Sequence, residues 1–476
     1  MEHPKNQHVL SVDLDGTLIH SDLLLESFLL LIKRNLLYIF LIPGWLLKGK
    51  AQLKAQIARR VMLNASALPY NQGFLAWLIE QKKSGREIWL CTASNYRLAN
   101  LVADHLKIFD GVLASSDTLN LSGANKAELL STKFGANNFD YCGNSDADLN
   151  VWKFSNGAII VNGSKNLQKK ATLLTKIVAV FDNTHRKLIG LVKVLRLHQW
   201  AKNVLIFVPA LAAHKLNDGN IIYQSLLAFF IFGLCASSVY LLNDMLDLEA
   251  DRLHPRKNNR PFASGTLSLK IGFFLAPILL ISALLLSAFL PLKFVLSIGI
   301  YYLLTLAYSF YLKKLVLVDT IVLAGLYTIR IIAGAAAISV TLSFWLLLFS
   351  IFIFFSLALS KRFTELKLLQ EKGQLNAVGR GYHTEDLPIL LSMGTSSGTL
   401  SVLVFALYLN SSATSILYQS LEFLWPLCII LLFWISRLWL KTHRGEMHDD
   451  PIIFALKDRV SLVCGLIAAI SIFLAI

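Results

Sequence analysis

Charged residues are scarce in this chain, and cysteines are scarcer. Of its 476 residues, 16% are charged and 55% are hydrophobic, whereas a soluble domain usually carries about 25% charged residues. This deficit excludes an ordinary soluble enzyme and a disordered chain, and it predicts that much of the chain lies in lipid. The five cysteines include no CxxC pair, which argues against a disulfide framework and against a cysteine-based zinc site.

Acidic residues are outnumbered by basic ones. The chain has 45 Lys and Arg against 30 Asp and Glu, a formal charge of +15. Such an excess suits anionic lipid head groups, phosphorylated substrates or nucleic acid. Composition alone does not choose among these partners; the motifs described below lead us to expect a membrane and phosphorylated substrates, and no nucleic-acid partner.

Short apolar runs separated by polar helical stretches fill the first 185 residues. Such runs are typical of buried parallel strands in a doubly wound α/β domain, which binds its ligands at the carboxyl ends of the strands. The predicted strands are Val9–Leu14, Ile88–Cys91, Asp140–Gly143 and Ala158–Val161.

The apolar segment Leu23–Leu47 is long enough to span a bilayer, but it contains Lys33 and Arg34 near its centre. Each such charge at mid-membrane costs about 2.5–3.5 kcal/mol. We therefore prefer a helical cap to a transmembrane helix. The cap would cover the α/β site and lie on the membrane surface.

Long apolar segments dominate the chain from residue 199 onward. Nine of them predict transmembrane helices, at roughly 199–213, 221–242, 271–290, 293–311, 316–336, 341–359, 387–409, 421–440 and 459–476. The loops after the even-numbered segments are rich in Lys and Arg, whereas the opposite loops hold only Lys215 and Lys293. The positive-inside rule predicts that the basic loops and the α/β domain are cytoplasmic and that the C-terminus lies on the opposite side of the membrane.

Two aspartates separated by one residue, Asp13 and Asp15, follow the first predicted strand and precede a glycine turn. A carboxylate can attack phosphorus when a cation offsets the repulsion between anions, and a second carboxylate can protonate the leaving group. Three further features suit a phosphoryl group and Mg²⁺: the hydroxyl of Thr92, the charge of Lys126, and the oxygen-rich run from Asn144 to Asp148.

In order and context, this set resembles the haloacid dehalogenase (HAD) superfamily of phosphatases over most of residues 8–165. The resemblance implies that Asp13 is the nucleophile, Asp15 the general acid and base, and segment 20–85 the cap. It also implies that Thr92 and Lys126 bind the phosphoryl group, and that Mg²⁺ binds near Asp13, Asp15, Asn144 and Asp148. The family usually has an aspartate where this chain has Asn144, so a weakened or inactive, regulatory HAD half remains an alternative.

A second acidic cluster ends the second apolar segment, in the run from Asn243 to Arg252. If the run is helical, Asp244, Asp247 and Asp251 stand at i, i+3 and i+7 and share one face. Three carboxylates so close together repel one another unless cations bridge them, and Mg²⁺ in turn binds diphosphate. The basic loop that follows contains Lys257 and Arg260 and suits a phosphorylated ligand.

The run Asn243–Asp251 matches the NDxxDxxxD motif of the UbiA-type intramembrane prenyltransferases. Other residues resemble the decaprenyl-phosphate phosphoribosyltransferase branch over about 195–476: Leu195–Asn203, Asp251–Pro261, Tyr308 and Ser309 with Lys313, Ser360–Arg362 with Glu365, and Gly445–Pro451. This resemblance implies nine transmembrane helices and a Mg²⁺ site on Asp244, Asp247 and Asp251. It also implies that phosphoribosyl pyrophosphate donates phosphoribose to a polyprenyl phosphate and releases diphosphate. The substrate-binding candidates are Asn243, Arg252, Lys257, Arg260, Tyr308, Lys313, Lys361 and Arg362.

The chain is thus predicted to be a HAD-like α/β domain (residues 1–185), a linker (186–198) and an all-α UbiA-type membrane domain (199–476). The HAD half is predicted to hydrolyse the 5-phosphate of the product. The alternative is transfer of an isoprenoid from its diphosphate to an aromatic or other small acceptor. Three further assignments stay open. Arg330 either pairs with Asp319 or binds a ligand, and Lys202 is either an interfacial anchor or a catalyst. Asp449 and Asp450 either join the metal site or cap the ninth predicted helix.

Overall fold

The structure, a computed structural model, describes residues 8–182, 187–254, 257–375, 380–411, 418–447 and 450–476. The chain forms two compact units: Met1–Val194 with Leu241–Phe274, and Leu195–Tyr240 with Leu275–Ile476. The aspartate-rich run is therefore grouped with the N-terminal half of the chain. The boundary at 186–198 stays a prediction, and Asp449 lies outside the described residues.

Six parallel strands form the sheet of the first unit, in the order β3-β2-β1-β4-β5-β6. The strands are β1 Val9–Val12, β2 Ile88–Asn95, β3 Gly111–Ser115, β4 Phe139–Gly143, β5 Gly157–Val161 and β6 Lys176–Phe181. The four predicted strands are confirmed, and β3 and β6 are additional. The strand order reverses at β1 and β4, and in a doubly wound sheet the ligand crevice lies at this reversal.

Both faces of this sheet are covered by apolar side chains. Leu90 and Cys91 are consecutive in β2 and belong to different buried clusters, as do Ile159 and Ile160 in β5. Successive side chains of a strand point to opposite faces, so each cluster marks one face. Both faces of the sheet are therefore buried, and the carboxyl ends of its strands remain available for polar residues.

Nine helices of the first unit precede the aspartate-rich run. They are α1 Leu23–Arg34, α2 Ile42–Leu47, α3 Lys50–Ala58, α4 Gln72–Lys83, α5 Tyr96–Leu106, α6 Ala124–Phe134, α7 Leu149–Trp152, α8 Lys165–Thr172 and α9 Lys187–Val194.

The apolar segment Leu23–Leu47 is not one helix. Helix α1 ends at Arg34, and the side chain of Asn35 caps a short 3-10 helix, Leu36–Phe40, that precedes α2. The side chains of Leu37, Phe40 and Leu47 are 66%, 77% and 90% exposed. The charged pair near the centre therefore ends a helix instead of crossing a bilayer, and the following apolar turns are left uncovered by the described protein.

Long apolar helices make up most of the rest of the chain. The remaining helices are α10 Val208–Ala212, α11 Gly219–Leu246, α12 Leu248–Leu253, α13 Leu269–Ser287, α14 Leu292–Phe310, α15 Val318–Ala337, α16 Phe344–Glu371, α17 Leu387–Leu409, α18 Trp425–His443, α19 Pro451–Lys457 and α20 Arg459–Ala475. In the described part of the chain, seven of them are long and apolar enough to span a membrane: α11 and α13 to α18.

The prediction of nine spanning helices is not confirmed. Helices α19 and α20 are bent by 79° and add an eighth span only if counted together. The first predicted segment, 199–213, folds as a 3-10 helix, Leu197–Phe207, followed by the short α10. At Gly334 of α15, a Cβ atom would lie 2.1 Å from the carbonyl oxygen of Ile206, so glycine lets this tightly wound segment pack directly on α15.

Candidate active sites

Asp13 follows β1 and is held by Lys126 of α6. The Lys126 ammonium donates to Asp13 Oδ1 at 2.9 Å and to the Tyr141 hydroxyl at 2.8 Å, and these side chains are buried. Burial raises the pKa of Asp13 to about 6; Lys126 opposes the rise, and the carboxylate of Asp148 adds to it. The structure thus brings together the predicted nucleophile and the cation predicted to neutralise it.

Asp148 is fixed by the loop after β4. Its Oδ2 accepts from the backbone N–H groups of Asn144 and Ser145 at 3.0 and 2.9 Å and from the Ser145 hydroxyl at 3.0 Å. Its Oδ1 accepts from Tyr141 at 3.0 Å. A continuous chain of polar contacts therefore joins Asp148 through Tyr141 and Lys126 to Asp13, as expected for a preorganised anionic site.

The side chain of Asn144 packs against the turn that separates the two predicted catalytic carboxylates from α1. At Gly16, where φ is +76°, a Cβ atom would stand 1.9 Å from Asn144 Nδ2. Glycine is needed there both for its positive φ and for the space that Asn144 occupies. The amide of Asn144 consequently lies next to Asp15, where the resemblance places a metal ligand.

Asp15 lies between β2 and the start of α1. Its Oδ2 accepts from the Ser94 hydroxyl at 2.7 Å, and its Oδ1 accepts from the Leu23 backbone N–H at 2.8 Å. Burial, reinforced by the charge of Asp22, raises the pKa of Asp15 to about 7. A carboxyl group with a pKa near neutrality can both donate and accept a proton, as the predicted general acid and base requires.

Three residues that sequence reasoning missed complete this site. Tyr141 and Ser94 contact the carboxylates directly, as given above. Lys54 of α3 donates to the Ala93 carbonyl at 2.6 Å. The predicted residue Thr92 is fully buried, and its hydroxyl accepts from the backbone N–H of Ser94 at 3.0 Å. Tyr141 stands inside a buried strand and Lys54 in the cap, so neither had a local motif to mark it.

The aspartate-rich run is not one continuous helix. Helix α11 ends at Leu246, Asp247 adopts non-helical backbone angles of −102° and 18°, and α12 begins at Leu248. The expected continuous helix is therefore interrupted at its middle aspartate, although the backbone amides of Asp247 and Asp251 still donate to the carbonyls of Asn243 and Asp247. Asp247 instead meets Lys33 of α1, with 3.1 Å between its Oδ1 and the lysine Nζ.

Asp244 and Asp251 converge despite the break. Both carboxylates are buried, and one nitrogen of Arg260, Nη1, lies 3.0 Å from Asp244 Oδ1 and 2.5 Å from Asp251 Oδ2. From the sequence, metal ions are expected to relieve the repulsion between the aspartates. The structure shows that the protein's own cations, Arg260 and Lys33, also do so.

The other predicted ligands in this unit have different surroundings. Arg252 is bound to Glu26 of α1 and to the carbonyl oxygen of Ala263, so its guanidinium has internal partners instead of facing a ligand. The backbone N–H of Lys257 donates to His254 Nδ1 at 3.4 Å. The side-chain oxygen of Asn243 is buried and has no hydrogen-bond partner in the described part of the chain.

Both sites can be tested for their fit to Mg²⁺. Among the described residues, no three Asp, Glu, His or Cys side chains are grouped so as to hold an ion unaided. Mg²⁺ usually takes one or two carboxylates and completes its shell with water and substrate phosphate. The pair Asp244 and Asp251 meets that requirement, and the unpartnered oxygen of Asn243 adds a neutral donor. Asp13, Asp15 and the Asn144 amide supply the same kinds of oxygen at the other site.

The second unit contains a polar cluster around Asp450. This carboxylate accepts from Lys202 at 2.7 Å and from Lys361 at 3.0 Å, and Tyr327 donates to it at 3.1 Å. Asp450 also caps α19 by accepting from the Ile452 N–H. Asp450 is therefore a helix cap, and Lys202 is a buried ion-pair partner.

Arg362 is enclosed in a neighbouring cluster. The structure places Lys361 and Arg362 inside the long helix α16 instead of in a loop, and the side chains of Arg362 and Asp319 are both 0% exposed. Arg362 lies 2.7 Å from Asp319 and also pairs with Glu365. This buried arginine is a structural ion-pair partner, whereas the Lys361 side chain is 39% exposed.

The remaining candidates of the second unit also have protein partners. Arg330 does not pair with Asp319; it donates to Asn203 at 3.1 Å, to the Tyr301 hydroxyl at 3.2 Å and to the Leu326 carbonyl. The hydroxyl of Tyr308 accepts from Arg380 at 3.4 Å. Lys313 lies in the short 3-10 helix Leu312–Lys314 and is partly buried.

The chain is similar to known proteins over almost its whole length. The chain is 36% identical to "Uncharacterized protein y4nM" of Sinorhizobium fredii, over 97% of this chain and 89% of that protein. It is 31% identical to decaprenyl-phosphate phosphoribosyltransferase of Mycolicibacterium smegmatis, over 57% of this chain and 87% of that enzyme.

Two solved structures each match part of the chain at low sequence identity. A UbiA homolog from Archaeoglobus fulgidus bound to DMAPP and Mg²⁺ is 14% identical, with a TM-score of 0.45, and the match covers 59% of this chain and 95% of that one. A substrate-bound phosphoserine phosphatase is 14% identical, with a TM-score of 0.28, and the match covers 38% of this chain and 94% of that one.

The model of the UbiA prenyltransferase family matches residues 204–457, more than half of the chain. This span includes the seven helices of spanning length, so the protein is an integral membrane protein. The chain belongs to the UbiA prenyltransferase family.

Proposed function

We propose that the protein transfers 5-phosphoribose from phosphoribosyl pyrophosphate to a polyprenyl phosphate and releases diphosphate. The observation that carries this proposal is the convergence of Asp244 and Asp251 on one cationic nitrogen of Arg260. Buried carboxylates beside a guanidinium suit a metal-bound diphosphate. The phosphoribosyl donor is supported by similarity to enzymes named decaprenyl-phosphate phosphoribosyltransferase.

In this reaction, Asp244 and Asp251 would hold Mg²⁺ together with Asp247. The ion supplies Lewis-acid stabilisation of the departing diphosphate. The bond from the anomeric carbon to the diphosphate oxygen breaks, and an oxygen of the lipid phosphate forms the new bond to that carbon. Arg260 would exchange part of its contact with the aspartates for a diphosphate oxygen and so bind the leaving group as it gains charge.

The partly exposed Lys361 is our candidate for holding a substrate phosphate, with Lys257, Lys313 and Tyr308 as further candidates. Arg362 is withdrawn from this role because Asp319 and Glu365 surround it. By the positive-inside rule, we propose that both acidic sites face the cytoplasm and that the C-terminus lies on the opposite side. The exposed apolar turns Leu36–Leu47 would rest on the membrane surface.

A second proposed activity is hydrolysis of a phosphate ester by the HAD half. It is supported by the buried contact between Asp13 and Lys126 and by the position of Asp15. Asp13 would attack phosphorus while Asp15 gives its proton to the departing alcohol oxygen; Asp15 would then take a proton from the water that cleaves the phosphoaspartate. The substrate we propose is the 5-phosphate of the lipid product, which remains in the same membrane at high effective concentration.

The test of both activities is an assay of the purified protein with phosphoribosyl pyrophosphate, a polyprenyl phosphate and Mg²⁺, followed by mass spectrometry of the lipids. Wild-type protein should yield lipid-linked ribose, and Asp13→Asn should accumulate the 5-phosphorylated lipid. The exposed Asp104 provides the control variant Asp104→Asn. An unchanged product distribution in Asp13→Asn would exclude the coupled hydrolysis, and consumption of a prenyl diphosphate with no need for ribose would favour isoprenoid transfer.

A further inference from the structure

Helix α1 begins at the predicted phosphatase site. Its first backbone N–H, from Leu23, donates to Asp15 Oδ1 at 2.8 Å. Asp22 caps the helix by accepting from the N–H groups of Leu24 and Leu25. The helix has 12 residues and is therefore about 18 Å long, so a rigid element leads away from Asp15.

The first turn of α1 binds the aspartate-rich run through Glu26. Two parallel hydrogen bonds, of 2.6 and 2.9 Å, join its carboxylate to Arg252, and the two side chains are 5% and 9% exposed. The third donor of Arg252, Nε, reaches the Ala263 carbonyl at 2.9 Å. A bidentate arginine–carboxylate pair fixes orientation as well as distance, and Arg252 immediately follows Asp251.

The end of α1 binds the same run through Lys33. Glu26 and Lys33 stand at i and i+7, so they lie on one face of the helix. Lys33 meets Asp247 at 3.1 Å, and the ring of Phe28 packs in a tilted arrangement against Phe273 of α13, with centroids 5.7 Å apart. One helix face thus contacts Asp247, at the break, and α12, which follows it.

We propose that α1, a helix of the phosphatase half, is a positioning element of the transferase site. Glu26 holds, through Arg252, the backbone that carries Asp251, and Lys33 holds the carboxylate of Asp247 at the helix break. The inference deepens the proposed transferase function and depends on it for its activity readout. It means that the HAD half contributes to the transferase reaction independently of its own phosphatase chemistry.

The experiment uses the full-length protein in detergent, with variants Glu26→Gln, Lys33→Ala and Lys33→Arg. Arg34→Ala is the matched control, because Arg34 is the neighbouring cation on α1 and donates to the Arg60 carbonyl instead. The first readout is hydrogen–deuterium exchange of residues 243–254, including the Asp247 and Asp251 amides, which donate to the carbonyls of Asn243 and Asp247. The second is the kcat and KM of phosphoribose transfer.

Glu26→Gln and Lys33→Ala should speed exchange in this peptide and lower kcat/KM by about 10-fold or more, since small misplacements of catalytic groups cost up to about 10²-fold. Lys33→Arg should restore both readouts, and Arg34→Ala should leave both unchanged. If hydrogen–deuterium exchange of residues 243–254 is unchanged in Glu26→Gln and Lys33→Ala, α1 does not order the aspartate-rich run. If exchange is faster but phosphoribose transfer is normal, α1 does not position the transferase site.

A double-mutant cycle separates positioning from direct substrate binding by Arg252. If Arg252 acts only through Glu26, then Arg252→Gln, Glu26→Gln and the double variant should lose similar activity. A much larger loss in Arg252→Gln alone would overturn the assignment. If the wild type transfers no phosphoribose, the proposed function fails, while the exchange comparison still decides whether α1 orders the aspartate-rich run.

Discussion

Nη1 of Arg260 lies 2.5 Å from Oδ2 of Asp251, and the same nitrogen lies 3.0 Å from the carboxylate of Asp244. A single positive charge thus stands between two buried carboxylates. In the proposed reaction a divalent cation and a diphosphate must share this place with the guanidinium. Arg260 is the counterion of the two aspartates in this structure, and in the proposed reaction it would also contact the diphosphate.

Removing Arg260 should make the stability of the protein dependent on Mg²⁺. In Arg260→Ala the two carboxylates lose their shared counterion, and breaking a buried ion pair costs about 3–5 kcal/mol. The midpoint of thermal unfolding should fall in the absence of Mg²⁺ and recover substantially when the ion is added, because it replaces the missing charge. If Mg²⁺ does not raise the thermal midpoint of Arg260→Ala, a metal site on these aspartates is contradicted.

Substitution of one aspartate should affect transfer far more than substitution of a neighbouring glutamate. Asp251→Asn keeps the shape of the side chain but removes a ligand and the contact with Arg260, so we expect kcat to fall by about 10²-fold or more. The matched control is Glu249→Gln, which removes one negative charge from the same short helix, α12. Steady-state transfer assays of the two variants at saturating Mg²⁺ provide the comparison, and equal losses would show a general charge effect instead of a site.

Two adjacent basic residues of α16 should behave differently. Arg362→Met removes the 2.7 Å partner of the fully buried Asp319, which keeps Arg380 at 3.4 Å and the Tyr382 hydroxyl, so the free energy of unfolding should fall by about 1–3 kcal/mol. Lys361→Met removes a 39% exposed side chain from Asp450, which retains Lys202. We expect this variant to keep its thermal midpoint and to raise the KM for a phosphorylated substrate.

Adding the missing carboxylate should strengthen metal binding in the HAD half. Asn144→Asp replaces the neutral amide beside the Gly16 turn with a carboxylate. Hard cations such as Mg²⁺ prefer carboxylate ligands, so the ion should bind more tightly. The Mg²⁺ concentration for half-maximal hydrolysis of a generic phosphate ester should fall several-fold. Asn138→Asp, at an exposed asparagine, is the control, and an identical Mg²⁺ dependence of wild type and Asn144→Asp would place the ion elsewhere.

The predicted strands were those buried on both faces. The strands β1, β2, β4 and β5 read as continuous apolar runs because the sheet is covered on both sides. Strand β6, at one edge, alternates exposed and partly buried residues, and β3 at the other edge is only partly buried along most of its length. The short runs GVLAS and KIVAVF are apolar as well, but an apolar run alone does not show that a segment pairs with the edge of a sheet.

The aspartate motif was visible from spacing, but its geometry was not. Helical periodicity placed the three carboxylates on one face, whereas the backbone break at Asp247 directs that residue to Lys33. The partner is 214 residues away in sequence, so no local pattern could predict it. Glu26 and Arg252 went unrecognised as a pair for the same reason.

Arg362 shows that a basic residue next to an apolar segment is not by itself evidence of a phosphate-binding site. A basic residue after an apolar segment suggested a phosphate ligand, but α16 continues to Glu371 and buries Arg362 against Asp319. Sequence reports that a charge is present near the membrane and does not report its partner. The cluster of Lys202, Lys361 and Asp450 likewise joins residues that are distant in the chain.

The most direct test of the account is the lipid product formed by purified protein from phosphoribosyl pyrophosphate and a polyprenyl phosphate. The account predicts Mg²⁺-dependent release of diphosphate together with a ribose-bearing lipid, and loss of both in Asp247→Asn. Release of diphosphate from a prenyl diphosphate, with no ribose-bearing lipid formed by active wild-type protein, would contradict it.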